Sequence, residues 1–433
     1  MEHLALAVCS LLPVVYWWRF RKNPVDRDYA CYAYPAWQKT GYLTNGHIDI
    51  KPPLIHWLYK LWWILPIKPI GYKLRLMPLL AHVVTVYLLG LRFGWQASLV
   101  AGLLYANPYM WPHMANTEWI GNLCIAIAIN LSGWQSQLIL GFMWIANLKF
   151  IPFSIALGGY WAYKEAGFSI GIFSMLLQGL PFFLAVGYLI ITKRLDVFLK
   201  YVIVMPKYFG KVRRLFTHTD IPLIKRALGI ELLPFISAMD WKSEWTILSA
   251  WWMILNVASK QIVPHHLLML IPLISASVTL TPMVLAAYTL TLLFRNLVVW
   301  KKPELLYAAS FGDPVRGTDY GMMLKDSSYI SKWILAETKP DETILVNGID
   351  NEIYTHTGRK AYFFVLPEYW ALPDNFNPPR VVVHCAMASQ HCTWWYPKWD
   401  YKAVYISPMG LFTIMVKGRK DAIILECEKE KKK

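Results

Sequence analysis

Three polar features interrupt a chain of long apolar runs, and each carries side chains able to do chemistry. Asp26-Arg27-Asp28-Tyr29 follows the first apolar stretch, Lys51-Pro52-Pro53-Leu54 sets a cation beside two stiffening prolines, and Asn116-Thr117-Glu118 opens a later apolar run. Ionisable groups at membrane depth are costly, so function is their default explanation, although a single acid at a membrane edge can equally cap a helix. A carboxylate can take a proton from an attacking group, or hold a hard divalent cation through its oxygens. A lysine or arginine can neutralise an anion as its charge develops. Arg75, Lys149 and the cluster Lys207, Lys211, Arg213 and Arg214 add further cations.

The elements that position these groups are those of a membrane protein. Hydrophobic residues make up 56% of the 433 residues, aromatic ones 15% and charged ones only 16%. A soluble domain needs roughly a quarter of its residues charged, whereas 22 Trp and 25 Tyr suit an aromatic belt at both lipid–water interfaces. The net charge of +16 fits anionic headgroups or a phosphate-bearing lipid. It does not point to nucleic acid, because no basic stripe lies on a separate soluble domain. Of the six cysteines only Cys385 and Cys392 are close in sequence. They read as two thiols or as a disulfide outside the cytoplasm, and their spacing beside His384 and His391 fits no common zinc finger.

The first apolar stretch, Leu4 to Trp18, has no basic segment before it and is followed by Arg19-Phe20-Arg21-Lys22. It therefore reads as a transmembrane helix and not as a cleaved signal. Residues 23–72 form a loop with two interfacial helices, Tyr29 to Lys39 and Leu54 to Leu65, the second rich in the Trp and Tyr that favour the headgroup plane. Ten further spans fall at 74–91, 95–110, 118–132, 134–147, 149–163, 168–192, 222–239, 244–258, 264–278 and 280–299. Several are short for a hydrocarbon core of about 30 Å, as is tolerated where helices are buried or line a cavity. The pairs Trp17-Trp18, Trp62-Trp63 and Trp251-Trp252 read mostly as belt residues. Beyond Trp300, strand-like runs at Thr343 to Val346, Arg380 to Val383, Ala403 to Ile406 and Leu411 to Val416, with a helical pattern at Tyr329 to Thr338, predict a small α/β module. The fold class expected is a predominantly α-helical polytopic membrane protein of about eleven spans. Its domains are 1–300 in the membrane, an extramembrane α/β module at 301–420, and a charged, disordered tail at 421–433.

Counting spans from a first helix that leaves the cytoplasm puts Asp26, Lys51, Glu118, Lys149, the segment Lys260 to His266 and the 301–433 module on one outer face. Arg19, Arg21, Lys22 and the Lys207–Arg214 cluster then lie outside as well, against the positive-inside tendency. Either the count errs there or those cations serve an anionic ligand.

At these residues the sequence resembles the C-fold (GT-C) glycosyltransferases of the protein O-mannosyltransferase and lipid A aminoarabinose transferase type. Asp26 with Tyr29 resembles the family's first acidic motif, and Lys51-Pro52-Pro53-Leu54 its Lys-Pro-Pro-Leu motif. Leu74-Arg75-Leu76 through Gly90-Leu91-Arg92-Phe93-Gly94 resembles the helix that follows. Asn116-Thr117-Glu118 stands where the family carries a Thr-Asp-Ala-like segment, and Val263-Pro264-His265-His266 leading to Ile271-Pro272 resembles its Phe-Pro-His-Tyr…Pro helix start. Ile344-Leu345-Val346-Asn347-Gly348, Glu352-Ile353-Tyr354 and Gly358-Arg359 resemble the module that often follows. Arg27 follows Asp26 where the family commonly has Asp-Glu, and Glu118 replaces an aspartate.

The resemblance implies transfer of a sugar from a polyprenyl-phosphate donor to a protein, lipid or glycan acceptor on the non-cytoplasmic side. Asp26 and Glu118 are the expected catalytic acids, Asp26 as the base. Lys51 is the first cation expected on the departing phosphate, with Arg75, Lys149, Lys211, Arg213 and Arg214 behind it. Asp28 and Tyr29 complete the substrate-binding set. His265 either caps its helix at the interface or touches lipid phosphate or sugar. No cofactor is required; Asp26 and Glu118 admit a divalent cation without demanding one. The competing readings are a transporter or flippase of lipid-linked glycans, against which no inverted repeat is found, and a membrane scaffold that binds a partner through 301–420.

Overall fold

The computed structural model describes residues 2–20, 27–39, 41–43, 51–68, 70–107, 117–204, 232–258, 264–290, 320–347, 352–362, 379–385, 400–408 and 410–418. The chain divides into two compact units. The first comprises Met1–Asn23, Ile50–Leu58 and Leu65–Ser310; the second gathers Pro24–Asp49, Tyr59–Ile64 and Phe311–Lys433.

The first unit is helical. It opens with α1 (Glu2–Ser10) and α2 (Leu12–Phe20), where a single run had been expected. Leu11 forms a turn between them. Pro13 lacks an N–H, and its ring crowds the carbonyl four residues back, so the helix cannot run through. Of the expected loop helices, one is α3 (Arg27–Trp37), a segment of the second unit, and the other is α4 (Leu54–Trp62). Then come α5 (Ile70–Phe93), α6 (Trp95–Tyr105), α7 (Glu118–Ala128) and α8 (Gly133–Ala146). A 3-10 turn, Leu148–Phe150, leads into α9 (Ile151–Leu176), and α10 (Gly179–Ile191) follows. After these stand α11 (Glu244–Ala258), a 3-10 helix at Pro264–Met269, and α12 (Leu270–Ser277).

Among the described helices one, over Tyr72–Phe93, is long and apolar enough to cross a membrane, with 22 residues and mean hydropathy 1.7. At 1.5 Å per residue it reaches about 33 Å. The spans expected at 149–163 and 168–192 are divided elsewhere: α9 runs on through Lys164 and Glu165, and the break falls at Leu177-Gln178. Lys164 does not end the helix because its exposed ammonium pairs with Glu244 at 2.9 Å, as a long side chain does when it carries its charge away from apolar surface. The 222–239 span lies mostly outside the described residues, with only the five-residue helix Leu233–Ser237 seen. Of 280–299, residues 282–290 are helical and the rest lies outside the described residues.

The α8–α9–α10 packing depends on small residues. Gly141 and Gly158 let the Gln178 segment approach. There Gln178 Nε2 donates to Gln137 Oε1 at 2.6 Å, and Gln137 Nε2 donates to the Gly158 carbonyl at 2.9 Å. Glycine faces and buried amides are the means by which helices associate where apolar surface gives no net drive.

The second unit contains a five-stranded mixed sheet in the order β2-β1-β3-β5-β4. Its strands are β1 (Thr343–Asn347), β2 (Lys360–Ala361), β3 (Val381–Cys385), β4 (Tyr401–Ile406) and β5 (Phe412–Lys417). The first three are mutually parallel, while β5 runs antiparallel to both β3 and β4. Helix α13 (Tyr320–Glu337) precedes the sheet, and α14 (Glu352–Thr357) forms the crossover from β1 to β2. The four expected strands are all present; β2 and α14 are the additions. Ile330, Ile334, Ile344, Ile353, Val381, Val382, Val383, Phe412 and Ile414 form the core. Gly358 takes the left-handed conformation (φ 70°) just past α14, the helix stop that glycine makes without a Cβ clash.

Arg359 fastens this unit. Its Nε and Nη2 donate to the Thr338 hydroxyl and carbonyl at 2.8 Å each, and its Nη1 to the Thr357 carbonyl at 3.1 Å. A cation at the ends of α13 and α14 also complements both helix dipoles. The buried carboxylate of Asp326 accepts from the Ser407 hydroxyl and from the Leu411 amide, tying α13 to the β4–β5 connection. Helix α3 docks here too. Tyr34 accepts the Ala361 N–H at 2.8 Å and packs edge-on against Tyr354, whose hydroxyl accepts the Val346 N–H at 2.8 Å. Burial pushes the Tyr34 phenol up to about 12.

Candidate active site

Three elements of the first unit bring polar groups together: the N-terminus of α7, the 3-10 turn before α9, and the 3-10 helix before α12. Glu118 is the first residue of α7 and is 1% exposed. Its carboxylate complements the positive end of the α7 dipole. Lys149 lies in the 3-10 turn, where Asn147 accepts the Lys149 N–H at 3.1 Å, while the same asparagine donates from Nδ2 to Thr117 Oγ1 at 2.9 Å. One amide therefore sets the residue before Glu118 and the backbone of Lys149 against each other.

His266 joins the two. Lys149 Nζ lies 3.0 Å from His266 Nδ1, and Glu118 Oε1 lies 3.7 Å from His266 Nε2. The first is a hydrogen bond; the second is beyond hydrogen-bond reach. Trp252 braces both partners: its indole N–H donates to the His266 carbonyl at 2.9 Å, and its ring centroid is 5.5 Å from the Lys149 ammonium, a cation–π distance. Asn122, one turn along α7 from Glu118, donates to the Leu268 carbonyl at 2.9 Å and to Tyr105 Oη at 2.7 Å. Through Leu268 it holds the 3-10 helix to α7. The Tyr105 ring stacks on His82 at 4.2 Å.

Of the residues singled out in the sequence, Glu118 and Lys149 are thus brought together. Arg75 is buried on the second turn of α5, and Lys51 is half-buried at the bend before Pro52. Asp28 and Tyr29 lie in α3 and His265 in the 3-10 helix, with their side chains outside the description. Asp26, Lys211, Arg213 and Arg214 fall outside the described residues, as do Cys392 and the 421–433 tail. Among the described residues no group of three or more His, Cys, Asp or Glu stands ready to hold a metal ion. Glu118 and His266 are two potential donors, and the Lys149 ammonium takes the second histidine nitrogen.

Sequence reading chose His265 and passed over its neighbour. Successive side chains on a 3-10 helix point about 120° apart, and His266, the residue after His265, is buried. The same correction applies to Trp251-Trp252. Successive residues on an α-helix are about 100° apart; Trp251 is partly exposed as a belt residue would be, whereas Trp252 is fully buried beside Lys149.

No family model matches the sequence, and no curated protein does. Solved structures do. The crystal structure of ArnT from Cupriavidus metallidurans bound to undecaprenyl phosphate aligns with a TM-score of 0.57 at 13% identity, covering 95% of this chain and 97% of that one. The apo structure of the same ArnT aligns with the same TM-score and identity over 94% and 97%. The chain has the ArnT fold. The C-fold architecture that the motif order implied is therefore the one observed, and at 13% identity the likeness is one of fold.

Proposed function

We propose that the chain is an integral membrane glycosyltransferase of about eleven spans that moves a sugar from a polyprenyl-phosphate donor to an acceptor on the non-cytoplasmic side. The observation that carries this reading is the alignment, over 95% of the chain, with an ArnT crystallised with undecaprenyl phosphate. The buried Glu118–His266–Lys149 cluster adds the charge pattern such chemistry needs, an acid and a cation held on the two nitrogens of one imidazole.

In the reaction, the acceptor oxygen attacks the anomeric carbon, the bond from that carbon to the phosphate oxygen breaks, and its electron pair leaves with the polyprenyl phosphate. Asp26 takes the acceptor proton. Lys51 and Lys149 neutralise the phosphate as its charge grows, with Arg75 and the Lys211–Arg214 cluster drawing the anionic headgroup in. Glu118 orients the acceptor.

The test is release of undecaprenyl phosphate from an undecaprenyl-phosphate-linked pentose or hexose by the purified protein. Asp26→Asn and Lys149→Met are each expected to lower turnover by about a hundredfold or more. Full turnover in Asp26→Asn would refute the base assignment. Movement of labelled lipid between leaflets without bond cleavage would replace the reading with a flippase.

A further inference from the structure

We infer that His266 is a positioning residue that holds the Lys149 ammonium in one place through its Nδ1 atom, an assignment that rests on the glycosyltransferase reading for its effect on rate. An ammonium offers only donors, and a neutral imidazole has one donor and one acceptor nitrogen. With Lys149 Nζ at 3.0 Å, Nδ1 must be the acceptor, so the ring proton sits on Nε2, facing Glu118 Oε1 at 3.7 Å. The histidine is therefore polarised along one line, from the cation through the ring to the carboxylate.

Its own placement is fixed from several sides. Trp252 holds its carbonyl, Asn122 holds Leu268 two residues on, and Trp252 also faces the ammonium. Lysine is a flexible point charge on a four-carbon stem, and a cation that must meet a developing phosphate charge gains most from being held where that charge appears. The sequence carries a specific departure here. Where the resembled family has tyrosine after Pro-His, this chain has His266, and a phenol has no pair of ring nitrogens with which to face a lysine and a carboxylate at once.

The geometry separates variants that a general loss of packing would not. An asparagine amide oxygen reaches about as far as Nδ1, and a glutamine amide reaches about as far as Nε2. His266→Asn is expected to keep an acceptor for Lys149 and hold kcat within about tenfold of wild type, while His266→Gln and His266→Phe lose about a hundredfold, the scale of a 1 Å misplacement. In the impaired variants KM for the undecaprenyl-phosphate-linked sugar stays close to wild type, since the contact acts on the departing phosphate. Equal loss in Asn and Gln, or wild-type kcat in Phe, overturns the assignment.

An independent measurement needs no turnover. In histidine-labelled protein in lipid nanodiscs, ¹⁵N resonances are expected to show the Nε2–H tautomer of His266, and Lys149→Met to move the Nδ1 resonance. An Nδ1–H tautomer, or an Nδ1 resonance indifferent to Lys149→Met, overturns it. Should wild-type protein release no undecaprenyl phosphate at all, the proposed function fails, and the tautomer measurement still decides the role of His266.

Discussion

Replacing Gly158 with alanine tests the α8–α9–α10 seam that carries Lys149 between its helices. A Cβ at position 158 would lie 1.8 Å from Gln178 Nε2 and 2.5 Å from Gln137 Oε1. The first obstacle is the end of a flexible side chain, so the backbone can stay while the Gln178 amide swings out. What is lost is the 2.6 Å bond to Gln137, with both amides left in a buried site. A buried polar group deprived of its partner costs about 1–3 kcal/mol, and interhelical bonds in membranes average about 0.6 kcal/mol, so the expected loss is about 1–3 kcal/mol. Gly141 is a sharper case. Its added Cβ would meet the backbone carbonyl of Gln178 at 2.4 Å, and only separation of the segments relieves that, at about 1–3 kcal/mol or more. Equilibrium unfolding in mixed micelles, followed by tryptophan fluorescence, measures both. In a Gln178→Ala background the penalty of Gly158→Ala is expected to fall to within about 0.5 kcal/mol of zero, whereas that of Gly141→Ala persists. Gly187→Ala, with nothing within 4 Å, serves as the control. If Gly158→Ala costs the same in both backgrounds, the glutamine pair is not what that glycine accommodates.

Two further outcomes concern the second unit. Tyr34→Phe removes the hydroxyl that accepts the Ala361 N–H and is expected to cost about 1–2 kcal/mol, seen as faster amide exchange at Ala361; unchanged exchange would remove α3 from the account of this sheet edge. Burial raises the Glu342 carboxyl, but the Arg380 hydrogen bonds at 2.8 and 3.0 Å, the Lys339 N–H at 3.1 Å and the charges of Arg380 and Arg359 together outweigh it and leave it below its usual value. The group is depressed in the folded state, so its stabilisation is complete above about pH 4.3 and is lost as pH falls through the lower folded value. With Arg380 half-exposed the pair is worth at most about 1 kcal/mol. Thermal unfolding of Glu342→Gln against pH should lack that acid dependence, and an unchanged dependence would exclude the pair as its source.

The sequence was most informative where local chemistry decides. Strand-like apolar runs such as Thr343 to Val346 became strands, and apolar runs between polar connections became helices close to their expected bounds. It misled where tertiary partners override composition. Lys164 looked like a helix end and is not, because Glu244, 80 residues away, takes its charge. Gln178 looked unremarkable within an apolar run and marks the true break, because Gln137 draws its side chain inward. At the site, Glu118 and Lys149 stood out by charge in apolar surroundings, a signal that survives folding. His266 and Trp252 did not, because each sits beside an identical residue; for the tryptophans only the helix phase says that Trp252 faces inward and Trp251 does not.

The Tyr34–Ala361 bond joins residues 327 positions apart. At about 5–20 residues per second, a ribosome that has just released Tyr34 needs roughly 16–65 seconds to deliver its partner. During that interval α3 is complete yet has no sheet to dock on. The second unit therefore cannot be completed early, whatever its own strands prefer, since its N-terminal and C-terminal portions are made on either side of helices α5 to α12. Truncated chains that stop short of Ala361 would leave the Tyr34 helix without this docking edge.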